Sequence, residues 1–348
     1  MVLVLLVSAG SLNGCSTAPE FDESEWYNKT RAEDPSALYA PHVNDDGTFF
    51  NPWLSRDRVK GKSFFMSRIF DKKKNYDYPE KNYTWEKNDF SYLTDKNNNS
   101  ISFAGHATLI VKMDDETIIT DPFFSNAALV VRKKVRIKFD YSKVPSKPVV
   151  VISHDHYDHL DKSSVKNLIK KDAVFIVPLG LKKFFTQLGA REVHELDWWQ
   201  SVQINNITYT FVPAQHWSRR LGWGSATSLW GGYVMQGSRT VYFSGDTGYF
   251  CGFAEIGKRF AIDYALLGAG AYDPRWFMHY SHMNIPEFFA AATETGAHTV
   301  IPMHFGVICL SDEPITYPLY EIDEYLKQNP GLADTIKPLR VGEFIPMD

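Results

Sequence analysis

The stretch Val149-Val150-Val151-Ile152-Ser153-His154-Asp155-His156-Tyr157-Asp158-His159 decides the fold of this chain. Its first half is a continuous apolar, mostly β-branched run that predicts a buried strand, and its second half is a His-x-His-x-Asp-His motif on the loop that follows. Four ligand-type side chains within six positions can surround metal ions only where the backbone turns tightly, as it does after a strand. Because the 348 residues include only 11 histidines, a chance match is expected about once in a thousand such chains or less often. The stretch therefore predicts a metal site at the end of a strand.

Three further ligand candidates follow other predicted strands. His216 comes after the strand at 208–212, Asp246 after the strand at 240–244, and His304 after the strand at 299–302. Strand ends meet at one edge of a sheet, so these side chains can reach the first loop although they are far apart in sequence. Imidazoles and carboxylates suit Zn²⁺, and Fe, Mn or Ni would accept the same ligands.

The rest of the chain from about residue 100 alternates between predicted strands and helices. The strands are predicted at 101–103, 108–113, 117–120, 149–153, 173–178, 192–196, 202–204, 208–212, 228–235, 240–244, 264–267 and 299–302, and the helices at 163–171, 181–188, 286–295 and 318–327. Groups of strands separated by helices predict an α/β layer structure.

Several sequence pieces resemble the N-acyl-phosphatidylethanolamine phospholipase D family of the metallo-β-lactamase fold. The pieces are Gly105-His106-Ala107-Thr108, Thr120-Asp121-Pro122, the stretch 153–161, Pro213-Ala214-Gln215-His216-Trp217, Ser244-Gly245-Asp246-Thr247-Gly248-Tyr249, His282 and Asn51-Pro52-Trp53. The resemblance runs from about residue 50 to the end. It implies a four-layer αββα sandwich with a dinuclear site between its sheets.

The resemblance also assigns the ligands. It implies that one metal is held by His154, His156 and His216, and the other by Asp158, His159 and His304, with Asp246 bridging both. We therefore expect two Zn²⁺ ions. Two ions about 3.5 to 4 Å apart can activate water as a nucleophile near neutral pH. Asp158 and Asp246 are thus predicted to be catalytic as well as ligands.

Other residues are predicted to support the chemistry. His282 is expected to bind a phosphoryl oxygen or protonate the leaving group, unless it is only a loop histidine. Asp121, at a strand end, is expected to orient a histidine ligand, with a turn-capping role as the alternative. Arg219 and Arg220 could pair with phosphate, or face solvent. His106 is interpreted as a packing residue.

Composition excludes some classes of protein. The chain has 37 Lys and Arg against 41 Asp and Glu, a net charge of −4, so no basic field for nucleic acid is expected. With only Cys15, Cys251 and Cys309, neither a disulfide scaffold nor a cysteine-ligated zinc module is available. Whether Cys251 and Cys309 form a disulfide is not decided by the sequence.

Two stretches are locally basic. Residues 53–74 contain eight basic and two acidic residues interleaved with aromatic and aliphatic ones, and residues 130–143 contain six basic and one acidic. Such stretches suit anionic lipid headgroups, and the alternative is a solvated face. We therefore expect a membrane surface as a partner, and the family resemblance implies a phospholipid substrate.

The N-terminus resembles a bacterial lipoprotein signal. A short apolar run leads to Leu12-Asn13-Gly14-Cys15, and it is too short to span a bilayer. We expect residues 1–15 to be a signal with lipidation at Cys15, residues 16–95 to be a mostly irregular segment that packs on the core, and residues 96–348 to be the catalytic domain. This predicts an anchor on the periplasmic side of an envelope, or a cytoplasmic protein if the run is only a buried N-terminus.

The function expected from this resemblance is hydrolysis of N-acylated phosphatidylethanolamine to phosphatidic acid and N-acylethanolamine. The alternatives are a lactonase or small-molecule phosphodiesterase of the same fold, or a lipoprotein that only binds lipid. Members of the family can dimerise, and the sequence leaves the oligomeric state open.

Overall fold

The computed structural model describes residues 20–54, 74–80, 90, 93, 99–125, 135, 139–220 and 222–347. Its α-helices are α1 (Glu23–Arg31), α2 (Lys162–Ile169), α3 (Lys182–Gln187), α4 (Gly252–Arg259), α5 (Arg275–Met278), α6 (Ile285–Thr295) and α7 (Tyr317–Gln328). Its strands are β1 (Ser100–Gly105), β2 (Thr108–Met113), β3 (Glu116–Thr120), β4 (Val149–Val151), β5 (Val174–Pro178), β6 (Glu192–Leu196), β7 (Ser201–Ile204), β8 (Ile207–Val212), β9 (Arg219–Arg220), β10 (Gly224–Ser225), β11 (Gly232–Gln236), β12 (Thr240–Phe243), β13 (Tyr264–Gly268), β14 (Thr299–Met303) and β15 (Phe344–Pro346).

Within the described residues the strands form two large sheets and a small hairpin. The first sheet has the order β15-β1-β2-β3-β4-β5-β6, the second has the order β14-β13-β12-β11-β8-β7, and β9 pairs with β10. Strands β3 to β6 are parallel to one another, as are β12 to β14. The parallel strands end at common edges, where their loops meet.

The two sheets pack face to face between helices. Their shared core contains Phe103, Val151 and Ile176 from the first sheet and Phe211, Tyr233 and Phe243 from the second. On the outer face of the first sheet, Val150 and Phe175 pack with α2 and α3 residues such as Val165. On the outer face of the second sheet, Tyr242 packs with residues of α4, α6 and α7. The order helix, sheet, sheet, helix confirms the predicted four-layer αββα sandwich.

Strand β4 shows why the sequence folds this way locally. Val149 and Val151 belong to the core between the sheets and Val150 to the outer core, because successive side chains of a strand point to opposite faces. A parallel strand covered on both faces is apolar throughout. The chain then leaves the sheet, and Asp161 caps α2 by accepting a hydrogen bond from the Ser163 amide at 3.0 Å. The motif loop is held between these two ends.

The N-terminal segment, expected to be mostly irregular, contains a short helix, α1, that was not predicted. The residues that specify helix α1 lie at its two ends, and the helix has no regular spacing of apolar residues that would have predicted it. Asp22 accepts hydrogen bonds from the amides of Ser24 and Glu25, acidic residues lie in the first turn and basic ones in the last. Trp26 is buried against the rings of His279 and Tyr280, so the helix packs on the domain.

Other short elements were not predicted: α4, α5, the β9–β10 hairpin and β15. Helix α4 begins at a glycine and has no side-chain cap, and β15 gains its partner only at the distant β1. Cys15 and residues 55–73 of the first basic stretch lie outside the described residues. Among the helices that are described, none is long and apolar enough to cross a bilayer.

Candidate metal centre

The site is built at the ends of strands from both sheets. The loop after β4 supplies His154, His156, Asp158 and His159, the segment after β8 supplies His216, the loop after β12 supplies Asp246, and the residue after β14 is His304. The backbone is strained here, because the non-glycine residues His106, Asp121 and His304 have φ values of 59°, 32° and 69°.

The first ligand group consists of His154, His156 and His216. Nε2 of His154 lies 2.8 Å from Nδ1 of His156, and Nε2 of His216 lies 3.2 Å from the same atom. These three side chains can each offer one nitrogen to a single ion.

The second ligand group consists of Asp158, His159 and His304. Nε2 of His159 lies 3.3 Å from Nε2 of His304 and 3.4 Å from Oδ2 of Asp158. This group is also close enough to hold one ion.

Asp246 lies between the two groups. Its Oδ2 atom is 3.0 Å from Nε2 of His304 and 3.1 Å from Nε2 of His159, both in the second group. The same oxygen is 3.8 Å from Nε2 of His216 and 3.9 Å from Nε2 of His154, both in the first group. Its Oδ1 atom is buried without a hydrogen-bond partner among the described residues.

The protonation of these side chains fits a cation site. Burial lowers the pKa of His154 and His216 well below the usual value and that of His156 to about 4, so these rings are neutral and each has one nitrogen that carries a lone pair. Converging lone pairs repel one another unless a cation lies between them. The donor set of neutral imidazoles and carboxylates therefore fits divalent transition metals such as zinc.

The carboxylates of the site are ionised. Burial acts to raise the pKa of Asp246, but His159 and His304 hold it well below its usual value. Burial likewise acts to lower the pKa of His159, but Asp246 and Asp158 raise it well above normal. The carboxylates thus attract positive charge to His159, and a proton and a metal ion compete for its nitrogen.

The ligand imidazoles of His159, His154 and His216 are each oriented through their other ring nitrogen. His159 Nδ1 lies 2.7 Å from Oδ2 of Asp121, and His154 Nδ1 lies 2.8 Å from the Ser153 hydroxyl. His216 Nδ1 lies 3.2 Å from the Ser281 carbonyl. Such contacts fix the ring and leave the inward nitrogen for a metal. Asp121, expected to orient a histidine ligand, has this contact with His159.

His106 contacts the candidate metal centre, which the sequence reasoning did not predict. It was interpreted as packing, but its Nε2 atom lies 2.7 Å from Oδ2 of Asp158, and both side chains belong to one potential ligand cluster. Burial lowers the pKa of His106 to about 3, so the neutral ring donates this hydrogen bond. The signal available was its place in the Gly-His-Ala-Thr piece, directly between two strands.

His282 lies beside both ligand groups. Its ring centre is 5.1 Å from that of His304 and 5.3 Å from that of His216. It also forms a potential ligand cluster with His216 and Asp246. Burial lowers its pKa to about 3, although Asp246 acts in the opposite direction, so the ring is neutral at pH 7.

The two arginines differ in their surroundings. Arg220 is buried, donates hydrogen bonds to the carbonyls of Asp155 and Leu160 at 2.7 and 3.0 Å, and stacks on Tyr157 at 4.1 Å. These contacts make it a support of the motif loop. The Arg219 side chain is exposed, and contact with phosphate stays a prediction for it.

The other histidines and two of the cysteines lie outside the ligand groups. Each of the four histidines has another partner: His42 contacts Asp197, His194 contacts Glu192, His279 stacks with Phe21, and His298 lies near Asp263. Cys251 and Cys309 are both free, so the disulfide that the sequence left open is not formed.

Fold and site together define a class of protein: hydrolases with metal ions held by histidine and aspartate at the edge of an αββα sandwich. A family model described as a β-lactamase superfamily domain matches residues 116–305. A solved structure of a metallo hydrolase from Ignicoccus hospitalis superposes with a TM-score of 0.54 at 23% identity, covering 72% of this chain and 98% of that one, which supports the fold.

Two curated relatives are closer in sequence. An uncharacterised protein of Mycobacterium tuberculosis is 34% identical over 241 residues, 66% of this chain and 64% of the relative. The N-acyl-phosphatidylethanolamine-hydrolyzing phospholipase D 1 of Caenorhabditis elegans is 32% identical over 270 residues, 71% of this chain and 73% of the relative. The chain thus spans just under two thirds of the mycobacterial relative's length. It belongs to the metallo-β-lactamase superfamily, as a metal-dependent hydrolase related to the N-acyl-phosphatidylethanolamine-hydrolysing phospholipases D.

Proposed function

We propose that this protein hydrolyses N-acylated phosphatidylethanolamine and releases phosphatidic acid and an N-acylethanolamine. The observation that carries the proposal is the position of Asp246, whose Oδ2 atom lies within 4 Å of histidines from both ligand groups. This arrangement suits two cations that share one carboxylate. The substrate is proposed from the 32% identity to a relative whose name states this activity.

We propose zinc as the metal, with His154, His156 and His216 holding one ion, Asp158, His159 and His304 the other, and Asp246 both. Zinc would supply Lewis-acid stabilisation of the phosphoryl oxygens and a lowered pKa for water. The protein's own contribution is to keep Asp158 and Asp246 ionised and the first ligand group neutral at the pH of the reaction.

His282 is proposed to contact the phosphoryl group. A neutral imidazole carries one N–H, which can donate a hydrogen bond to a phosphoryl oxygen. It does not protonate the departing oxygen, because a neutral ring that lost its N–H would be left as an imidazolate, so that proton comes from the water that is consumed. The reaction consumes one water and breaks the bond between phosphorus and the ethanolamine oxygen, which receives a proton. Arg219 is proposed as a further contact for the phosphate charge.

Membrane association is part of the same proposal, because the substrate resides in a bilayer. The basic stretch at 53–74 and a lipid-anchored Cys15 are the proposed contacts, on the periplasmic side of an envelope. If anionic headgroups attract the enzyme, its rate on vesicles should rise with their anionic lipid content and fall with added salt.

The test is an assay of the zinc-loaded full chain on vesicles that contain N-acylated phosphatidylethanolamine, in ¹⁸O-labelled water. We expect phosphatidic acid that carries the label and unlabelled N-acylethanolamine, both measured by mass spectrometry. His156→Ala should lower the rate at least about 10²-fold, because one ligand is lost.

His298→Ala is the matched control, because this histidine is exposed and lies 3.6 Å from Asp263, outside the ligand groups. Its rate should stay within about twofold of the wild type, as for most surface substitutions. The lipid substrate would be rejected if zinc-loaded protein released no phosphatidic acid but did cleave a soluble phosphodiester or a lactone. That result would favour another hydrolase of this fold.

A further inference from the structure

Two residues of the N-terminal segment reach the loop that carries His216. Asn51 is buried, donates a hydrogen bond from Nδ2 to the His216 carbonyl at 3.0 Å and accepts one at Oδ1 from the Trp230 indole at 2.9 Å. Trp53 donates a hydrogen bond from its indole nitrogen to Oε1 of Gln215 at 3.0 Å. The chain thus touches a ligand and its neighbour from a point more than 160 residues away.

Gln215 connects three loops of the metal centre. Its backbone amide donates to the Thr247 hydroxyl at 2.9 Å, and its carbonyl accepts from the Gly248 amide at 2.9 Å. Its side-chain amide donates to the carbonyls of Tyr249 at 3.3 Å and Tyr280 at 3.2 Å. These loops carry His216, Asp246 and His282, so the position of Gln215 sets their spacing.

The hydrogen bond from Trp53 fixes which way the Gln215 amide points. An indole nitrogen is only a donor, so it selects the oxygen of the amide and directs the NH₂ group to the two carbonyls. The reverse orientation would place oxygen against two carbonyl oxygens. The side-chain amide of Gln215 is tightly packed, because a Cβ atom at Gly248 would lie 2.7 Å from Nε2 of Gln215 and 2.6 Å from the Tyr280 carbonyl.

We propose that Trp53 and Asn51 are positioning residues of the metal centre, acting through Gln215 and the His216 carbonyl. The N-terminal segment then completes the geometry of the ligands as well as packing on the domain. The proposal rests on the metal site and not on the lipid substrate, so zinc binding tests it even if the proposed lipid is not hydrolysed.

The decisive comparison is Trp53→Phe against Trp199→Phe. Both tryptophans are half-buried and each donates one indole hydrogen bond of 3.0 Å, but Trp199 donates to the Leu38 carbonyl, away from the ligand loops. Phenylalanine can retain the ring packing of Trp53 on Trp198 and Phe250. Zinc affinity of the full chain is measured by competition with a chromophoric chelator, and Tm is measured without metal.

We expect zinc to bind about tenfold more weakly to Trp53→Phe, the size of effect seen when the outer contacts of metal ligands are removed. Trp199→Phe should bind zinc within about twofold of the wild type, although its Tm should fall by about as much as that of Trp53→Phe. If neither variant changed zinc affinity, or if both lost it equally, Trp53 would only stabilise the fold.

Gln215→Glu gives a second measurement. Glutamate still accepts the Trp53 hydrogen bond but puts an oxygen against the carbonyls of Tyr249 and Tyr280, so zinc affinity should fall further. Because both residues act through one amide, Trp53→Phe should add little in the double variant. Additive losses would overturn the proposal, and if Gln215→Glu does not fold, the comparison of the two tryptophan variants decides alone.

Discussion

Buried carboxylates on two sides of His304 respond to the protein interior in opposite ways. Asp158 and Asp246 face imidazoles, and although burial acts to raise the pKa of each, those partners hold both well below the usual value. Glu313 lines a narrow cavity with His106 and His304 and is 3% exposed. Its carboxylate accepts backbone hydrogen bonds from Tyr272 at 3.2 Å and Asp273 at 3.1 Å, and burial raises its pKa to about 7.

The difference teaches that partners, more than depth, decide which buried acid keeps its charge. An imidazolium or a metal ion repays the desolvation of a carboxylate, whereas two amide hydrogen bonds do so only in part. The ionised pair Asp158 and Asp246 therefore marks the candidate metal centre. Glu313 lies in the same interior but packs next to the metal centre and is not one of its ligands.

The largest expected effect comes from removing the charge of Asp246. Asp246→Asn keeps the size of the side chain and one oxygen, but it removes the carboxylate that lies between the two ligand groups. We expect hydrolysis to fall by about 10³-fold, because charge stabilisation at the reacting centre is lost. Bound zinc, measured by atomic emission after dialysis, should fall as well.

Asp172→Asn is the control for this variant, because Asp172 is an exposed carboxylate whose partner is Arg191 at 2.8 Å. Surface ion pairs contribute little, so rate and zinc content should both match the wild type. If Asp246→Asn retained the full zinc content and rate, Asp246 would be a structural acid like Glu313 and the contrast between them would disappear.

A smaller effect is expected from His106, which holds the Asp158 carboxylate. His106→Asn tolerates the left-handed backbone at this position but is too short to keep the contact with Asp158. We expect zinc to bind about tenfold more weakly, because an outer contact of a ligand is lost. Zinc affinity by chelator competition is the measurement.

His42→Asn provides the matched comparison for His106→Asn. His42 contacts Asp197 at 2.8 Å, much as His106 contacts Asp158 at 2.7 Å, but Asp197, unlike Asp158, belongs to neither ligand group. Zinc affinity should therefore stay within about twofold in His42→Asn. An equal loss in both variants would assign the effect to general destabilisation.

The sequence predicts the features whose information is local. The motif at 154–159 is contiguous, and β-branched runs bounded by turns identify strands such as β4 and β5, so an α/β layer structure and the candidate ligands could be found. The four-layer order was implied only by the family resemblance. Helix α1 was missed because its caps and charges, not an apolar period, specify it. A period-based interpretation does not detect that signal.

Features that depend on distant partners could not be predicted. The roles of His106 and Gln215 come from contacts with side chains and loops 52 and 162 residues away. Arg220 was expected to contact phosphate or to face solvent because its charge is visible in the sequence, while the carbonyls of Asp155 and Leu160 that it binds are not. The chemistry of a residue type is readable from sequence, but its partner is set by the packing of the two sheets.

The smallest expected effect concerns stability and comes from Glu313→Gln. The pKa of Glu313 is raised to about 7 in the folded protein from the ordinary glutamate value of 4.5, so between these values the folded state binds more protons than the unfolded state. Its contribution to stability is therefore fully present below about pH 4.5 and is lost as the pH rises to 7. Glutamine does not titrate, so the variant lacks this loss.

We therefore expect the free energy of unfolding of the wild type, relative to Glu313→Gln, to decrease between pH 5 and pH 8. Urea unfolding of metal-free protein measures it, because zinc binding then adds no pH dependence of its own. Other titrating groups are common to both proteins and cancel in the difference. Two parallel pH profiles would mean that Glu313 is ionised in the folded state. Its amide hydrogen bonds would then stabilise its charge as the imidazoles stabilise the charges of Asp158 and Asp246.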